Sequence, residues 1–131
     1  MPSALSDVVV LELATGVAGP YCGKLLADLG AQVVKVEPPA GDRMRKEYPL
    51  VEGESVFFNW LNTNKLGVAM AIDDPRVELL AARADIIVHS ERGAAADALD
   101  SRLRTANPGA VVVSLGLATR AVERREYVLE Q

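Results

Sequence analysis

Short, nearly pure apolar runs at residues 8–13, 32–37, 86–88 and 110–115 are separated by segments whose apolar residues recur at helical spacing. That alternation constrains the fold more than any other feature of the chain. A strand that is apolar on both sides must be covered on both faces, and a parallel sheet flanked by helices does this. The first forty residues carry the pattern most clearly. Residues 8–13 read as a strand and Ala14-Thr15-Gly16 as a turn. Residues 17–29 read as a helix, with Ala18, Cys22, Leu25, Leu26 and Leu29 at helical spacing, Pro20 tolerated in the first turn and Gly30 as the stop. Residues 32–37 form a second strand ended by Pro38-Pro39, which completes a βαβ unit with a right-handed crossover.

The alternation then continues. Residues 54–61 place Val56, Phe57, Trp60 and Leu61 at helical spacing, and residues 65–72 read as extended. Asp74 caps and Pro75 opens a helix whose face is Val77, Leu80, Ala81 and Ala84, leading into the strand 86–88. A helix over 93–106 turns Ala95, Leu99, Leu103 and Ala106 inward, Asn107-Pro108-Gly109 is a turn, and 110–115 is the last strand. The expected fold class is α/β: Rossmann-like, a mostly parallel sheet with helices on both faces.

Composition narrows the function classes. The 131 residues suit a single domain, and 14 Lys and Arg against 18 Asp and Glu leave a net charge of -4, which argues against a nucleic-acid partner. No apolar run approaches the roughly 18 residues of a membrane span. Asp7 and Glu12 fall where a secretory signal would need a basic start and an uncharged run, so a cytoplasmic location is expected. Cys22 and His89 are each the only residue of their kind, which leaves no material for an intrachain disulfide and starves a zinc site, so no metal is expected. Cys22 reads as a core thiol, and His89 as a structural residue rather than a general base.

Open parallel sheets take ligands outside the carboxyl ends of their strands. The loops that meet there are 14–20, 37–46, 89–94 and 116–120, and they hold Arg43, Arg45, Lys46, Arg92 and Arg120 in an otherwise acidic chain. An anionic ligand fits that asymmetry. Gly16, Gly19 and Gly23 lie between a strand and a helix, but Gly16 and Gly19 are three apart where a dinucleotide fingerprint needs two, so a nicotinamide site is the minor alternative.

The residues also resemble a family. Leu5-Ser6-Asp7 and the strand after it, Val17-Ala18-Gly19-Pro20, Leu25 to Ala31, Val33 to Pro39 with Gly41-Asp42 and Arg45, then Phe58-Asn59, Asn62 to Lys65, Ala84 to Val88 and Asn107-Pro108 are similar to the N-terminal part of the class III coenzyme A transferases. This family, also called CaiB/BaiF, includes formyl-CoA and carnitine-CoA transferases and 2-methylacyl-CoA racemases. The resemblance covers residues 1–116 as part of the large domain and leaves 117–131 as a divergent tail. It implies coenzyme A, as an acyl-CoA thioester, lying across the strand-end loops. Val17 and Ala18 would contact the coenzyme, Lys65 and Arg92 hold positions similar to the family's basic residues around the nucleotide, and Arg45 falls on the arginine of the family's Gly-Asp-x-x-Arg pattern.

The parent reaction implied is transfer of coenzyme A from an acyl thioester to a carboxylic acid through an aspartyl anhydride. The family's catalytic aspartate falls beyond residue 131, so no catalytic residue is assigned here. The alternative is a non-catalytic acyl-CoA-binding or dimerisation half, or a racemase relative, although Glu126-Tyr127-Val128 stands where racemases carry a His-Asp pair. The chain also has Lys65-Leu66 where many members have Lys-Arg, and His89-Ser90-Glu91-Arg92 in place of Glu-Asn-Phe-Arg. A homo-oligomer, or association with a C-terminal half, is expected, with Val56, Phe57, Trp60 and Leu61 left uncovered.

Overall fold

The computed structural model describes residues 3–116. Arg120 and Glu126-Tyr127-Val128, like the rest of the expected tail, lie outside the described residues. In chain order the elements are β1 (Val9–Leu13), α1 (Ala18–Asp28), β2 (Gln32–Glu37), a 3-10 turn (Arg43–Lys46), β3 (Leu50–Val51), β4 (Glu54–Ser55), α2 (Val56–Leu61), β5 (Lys65–Ala69), α3 (Arg76–Ala81), β6 (Ile86–His89), α4 (Gly93–Ala106) and β7 (Val111–Ser114).

The main sheet has the order β5-β2-β1-β6-β7, and every pairing in it is parallel. The chain builds outward from β1 through β2 to β5, then returns to β6 on the other side of β1. The strand order therefore reverses between β1 and β6, which is where open sheets of this kind present a crevice. The expected Rossmann-like α/β fold is present, with helices on both faces. One face buries Val10, Ala14, Val33 and Val88 under Ala27 and Ala31 at the end of α1. The other buries Leu11, Leu13, Val36 and Ile87 under Val77 and Ala81 of α3 and Leu99 and Leu103 of α4. Asn107 ties the end of α4 to the end of α3 on that face, because its amide donates to the carbonyls of Ala81 and Ala84 at 2.9 and 2.8 Å.

The inward face of α1 differs from the expected one. Leu25 and Leu29 are 47% and 53% exposed, and the residues against the sheet are Gly19, Pro20, Gly23 and Ala27. The reason lies underneath. A Cβ on Gly19 would stand 2.1 Å from the Cβ of Ala14, and one on Gly23 only 1.8 Å from Oε1 of Glu12. Along the line of Gly19 and Gly23 the helix approaches the sheet too closely for larger side chains, so Leu25 and Leu29 turn outward while Cys22 and Leu26 pack at the edge of the core.

Residues 50–55, read from sequence as loop and helix start, form a small antiparallel hairpin of β3 and β4 turned at Glu52-Gly53, both with positive φ. Ser55 then caps α2, its Oγ accepting from Phe58 N–H at 3.1 Å. The face expected to stay uncovered on α2 is corrected at two positions, of which Phe57 is half-buried against Met44, Phe58 and Leu61. Leu61 is fully buried with Met44 and Phe58, because α2 folds down onto the 3-10 turn. Val56 and Trp60 remain 44% and 48% exposed, and Trp60 stacks between Phe57 and Tyr21 of α1 with Lys24 over its ring.

Candidate functional site at the strand ends

Three loops meet at the carboxyl ends of β2, β1 and β6. The turn after β1 and the loop after β6 are joined directly, since Thr15 N–H donates to Ser90 Oγ at 3.1 Å. Gly16, with φ +84°, turns the chain away from the sheet into α1. Val17 and Ala18 follow, both exposed at the helix start. Val17 offers no side-chain cap. The amides of Ala18 and Gly19 therefore lack an intrahelical acceptor, and the positive end of the helix faces the crevice.

Beside this turn a cleft of about 380 Å³ opens over the strand ends, floored by Leu13 and Val36 and walled by Pro38, Pro39, Met70 and Ile72, with Asp73 and Glu91 at its sides. Its lining is mainly apolar, and the charged residues that line it are Asp73 and Glu91. Arg92 is exposed and immediately precedes α4. Arg43 is exposed, and its guanidinium lies over Gly16, where a Cβ would come within 2.5 Å of Nη2. Among the described residues Arg43 has no carboxylate within ion-pair distance.

Arg45 is partly engaged within the chain. Its guanidinium grips the Glu37 carboxylate through Nε and Nη2, the latter at 2.8 Å, and lies over the Phe58 ring at 4.1 Å. The Arg45 hydrogen bond, offset by some burial, holds Glu37 below the usual glutamate range, with the Asp42 N–H bond adding to the effect. Glu37 is the acid a dinucleotide site would turn to a ribose, and here it closes its own loop by accepting from Asp42 N–H at 2.8 Å as well. The glycines are equally accounted for by packing: Gly16 by its turn, Gly19 by the close approach to Ala14, and Gly23 by the Glu12 carboxylate.

Lys65 does not join the others. It opens β5 in register with Val33, at the end of the strand remote from the loops, and its side chain runs beneath α1. There Nζ donates to Glu12 Oε1 at 2.7 Å, to the Pro20 carbonyl at 2.7 Å and to Asn62 Oδ1 at 2.9 Å. All three N–H groups of the ammonium are taken, so none is left for a phosphate. Burial lowers the Lys65 pKa, and the Glu12 carboxylate partly restores it.

Lys65 belongs to a buried charge network that the sequence reading did not single out. Glu12 is fully buried and binds Lys35 Nζ at 3.1 Å through its other oxygen. Lys35 Nζ also donates to the Ala14 carbonyl and to Asp42 Oδ2, both at 3.1 Å. Asp42 Oδ1 accepts from the amides of Gly16 and Met44 at 3.2 and 3.0 Å. Two lysines and two carboxylates thus form a neutral chain under α1 that ends on the strand-end turn. Its signal was present in the sequence as one acid in Val8-Val9-Val10-Leu11-Glu12-Leu13 and one lysine in Val33-Val34-Lys35-Val36, two positions that the parallel register sets side by side.

His89 has a structural place. It is fully buried, its Nδ1 accepts from Glu91 N–H at 3.2 Å, and its Nε2 lies 2.7 Å from Asp100 Oδ1. Nδ1 fixes the loop after β6 and Nε2 ties β6 to α4, so neither ring nitrogen is presented to the cleft. Cys22 is half-buried, and burial, followed by the Glu12 charge, raises its thiol pKa, the opposite of what a nucleophile needs.

An open parallel α/β domain with an uncapped helix start, exposed Arg43 and Arg92 and an apolar cleft at its strand-order reversal belongs to the doubly wound class, whose open sheets present a crevice outside the carboxyl ends of their strands. Residues 5–117 match CoA-transferase family III, and the chain belongs to that family. It is 37% identical over 124 residues to the succinyl-CoA:mesaconate CoA-transferase of Haloarcula hispanica, across 86% of this chain and 31% of that protein. With the succinyl-CoA:glutarate CoA-transferase of Mus musculus it shares 44% identity over 92 residues, 66% of this chain and 21% of that one. A CaiB/BaiF family protein from Brucella suis superposes with a TM-score of 0.77 at 31% identity, over 87% of this chain and 33% of the other. The chain thus spans about a third of the length of the Haloarcula and Brucella relatives.

Proposed function

We propose that this chain is the coenzyme-binding lobe of a protein that transfers coenzyme A between an acyl-CoA thioester and a carboxylic acid through an aspartyl anhydride. The observation that carries the reading is the grouping of Arg43 over Gly16 at the uncapped start of α1, beside the apolar cleft. Coenzyme A has the matching halves, a polyanionic phosphate portion and a base and pantetheine arm that tolerate apolar walls. Val17 and Ala18 back the ligand, Arg43 and Arg92 pair with its phosphates, and the outer edge of Arg45 supplies a further donor. Lys65 supports the turn from below.

Calorimetric titration with coenzyme A tests this. Replacing Arg43 or Arg92 by Ala should weaken binding by about 1–3 kcal/mol each, the worth of a charged hydrogen bond. Affinity should also fall as salt is added. Full-strength, salt-insensitive binding in the double variant would put the ligand elsewhere.

The exposed ring stack on α1 and α2 supports an association as well. Tyr21, Leu25, Val56 and Trp60 are each more than 40% exposed and lie on neighbouring helices, a concentration of apolar surface that favours a partner. Sedimentation should give a species heavier than the 14.0 kDa chain, and Trp60→Glu should return it to monomer. A wild-type monomer at micromolar concentration would end this part of the reading.

A further inference from the structure

We infer that Asp42 is a positioning residue of the strand-end site, and that Lys35 fixes which way its carboxylate faces. The inference deepens the coenzyme-binding reading and rests on it. Asp42 is 3% exposed and does not line the cleft of Leu13 and Val36, yet it joins the two ligand-facing segments. One oxygen holds the amide of Gly16, just before Val17 and Ala18, and the amide of Met44, just after Arg43. The other oxygen is held by Lys35, which is itself anchored on Glu12 and the Ala14 carbonyl. Turning this carboxylate would shift both the start of α1 and the segment that carries Arg43.

The hydrogen-bond inventory shows why a carboxylate is required. Asp42 accepts from amides on one side and from an ammonium on the other, so both of its oxygens must be acceptors. An amide of the same shape has one acceptor and one donor. In Asp42→Asn the donor must face either Lys35 or the two backbone amides, and one set of bonds is lost whichever way it turns. Replacing Lys35 by Met as well removes that conflict. The introduced amide can then direct its oxygen to Gly16 and Met44, while Glu12 remains paired with Lys65 and the network stays neutral.

The experiment compares wild type, Asp42→Asn and Lys35→Met/Asp42→Asn by calorimetric titration with coenzyme A and by NMR hydrogen exchange at the Gly16 amide. The single variant should bind about tenfold or more weakly and exchange faster at Gly16. The double variant should recover slow exchange and an affinity within about threefold of wild type, since it removes the conflict over the amide's orientation and leaves no unbalanced buried charge. A folded double variant as weak as the single one would overturn the proposal, as would unchanged Gly16 exchange in Asp42→Asn. Should the single variant unfold, the double variant alone decides, by the same affinity criterion. Failure of wild type to bind coenzyme A would sink the functional reading, whereas the Gly16 exchange pattern judges the role of Asp42 without any ligand.

Discussion

Replacing Glu12 by Leu should cost about 3–5 kcal/mol of folding stability, the usual penalty for stripping one partner from a buried ion network. The side chain has no exposure, and both of its oxygens are held, by Lys35 at 3.1 Å and by Lys65 at 2.7 Å. Without it Lys35 still has Asp42, but Lys65 keeps only two neutral acceptors, the Pro20 carbonyl and Asn62. A net positive charge is then buried under α1. Total stabilities of domains are about 5–15 kcal/mol, so a loss of this size removes a large fraction of what holds the fold. Urea unfolding should show a sharply lowered midpoint.

The pH dependence of that variant identifies the cause. Burial already pulls the Lys65 pKa below its ordinary value of 10.5, and Glu12 pulls it back up. Removing Glu12 lowers it further. The folded state then binds fewer protons than the unfolded chain between the lowered pKa and 10.5, so the variant should regain stability as pH rises through that window. Adding Lys65→Met should recover most of the loss at neutral pH, because the remaining Lys35–Asp42 pair is neutral. A Glu12→Leu chain as stable as wild type, with no such pH response, would mean that the network contributes nothing to the fold.

The parts of this fold that depend on periodicity were legible in the sequence. Residues 93–106 form α4 over the expected range, 32–37 form β2, and the Pro38-Pro39 pair ends that strand as expected. Backbone chemistry and apolar spacing are local, and local rules suffice for them. Asp74 illustrates the same point, because its carboxylate accepts from the Arg76 amide just ahead of α3, while the Arg76 side chain holds its pKa down to about 2.

What periodicity misjudged was set by long-range contact. The spacing of Leu25 and Leu29 matches a buried face equally well on either side of a helix, and only the closeness of α1 to Ala14 and Glu12 decides that glycines face inward. Lys65 likewise matches a family position by sequence, but its chain direction in β5 carries it to the remote end of the strand. A basic residue near a motif says nothing of which acceptors reach it first, and here Glu12, Pro20 and Asn62 do. The strand-end crevice was legible because it follows from topology. Asp42 was read as part of a loop and of the family's Gly-Asp-x-x-Arg pattern, and not as a link between segments, because its partners Lys35 and Gly16 are 7 and 26 residues away along the chain.

Gly23→Ala should destabilise the protein although alanine favours a helix over glycine by about 1 kcal/mol. The new Cβ would fall 1.8 Å from Glu12 Oε1 and 3.0 Å from its Cδ. The carboxylate cannot move aside freely, since Lys35 and Lys65 hold both oxygens and nothing around it is solvent. Either α1 lifts from the sheet, opening the contact of Gly19 with Ala14, or Glu12 leaves its lysines. Overpacking and loss of buried pairing together should exceed the helix gain and leave a net cost of about 2–4 kcal/mol. Shortening the acid tests the mechanism. Glu12→Asp withdraws the carboxylate by one methylene, which alone should weaken its grip on the lysines, yet it vacates the space that the methyl group introduced by Gly23→Ala needs. Thermal or urea unfolding of the four chains should therefore show a favourable coupling of about 1–2 kcal/mol, the double variant being more stable than the sum of the two losses. Strict additivity would show that Gly23 is required for some reason other than room for the buried carboxylate.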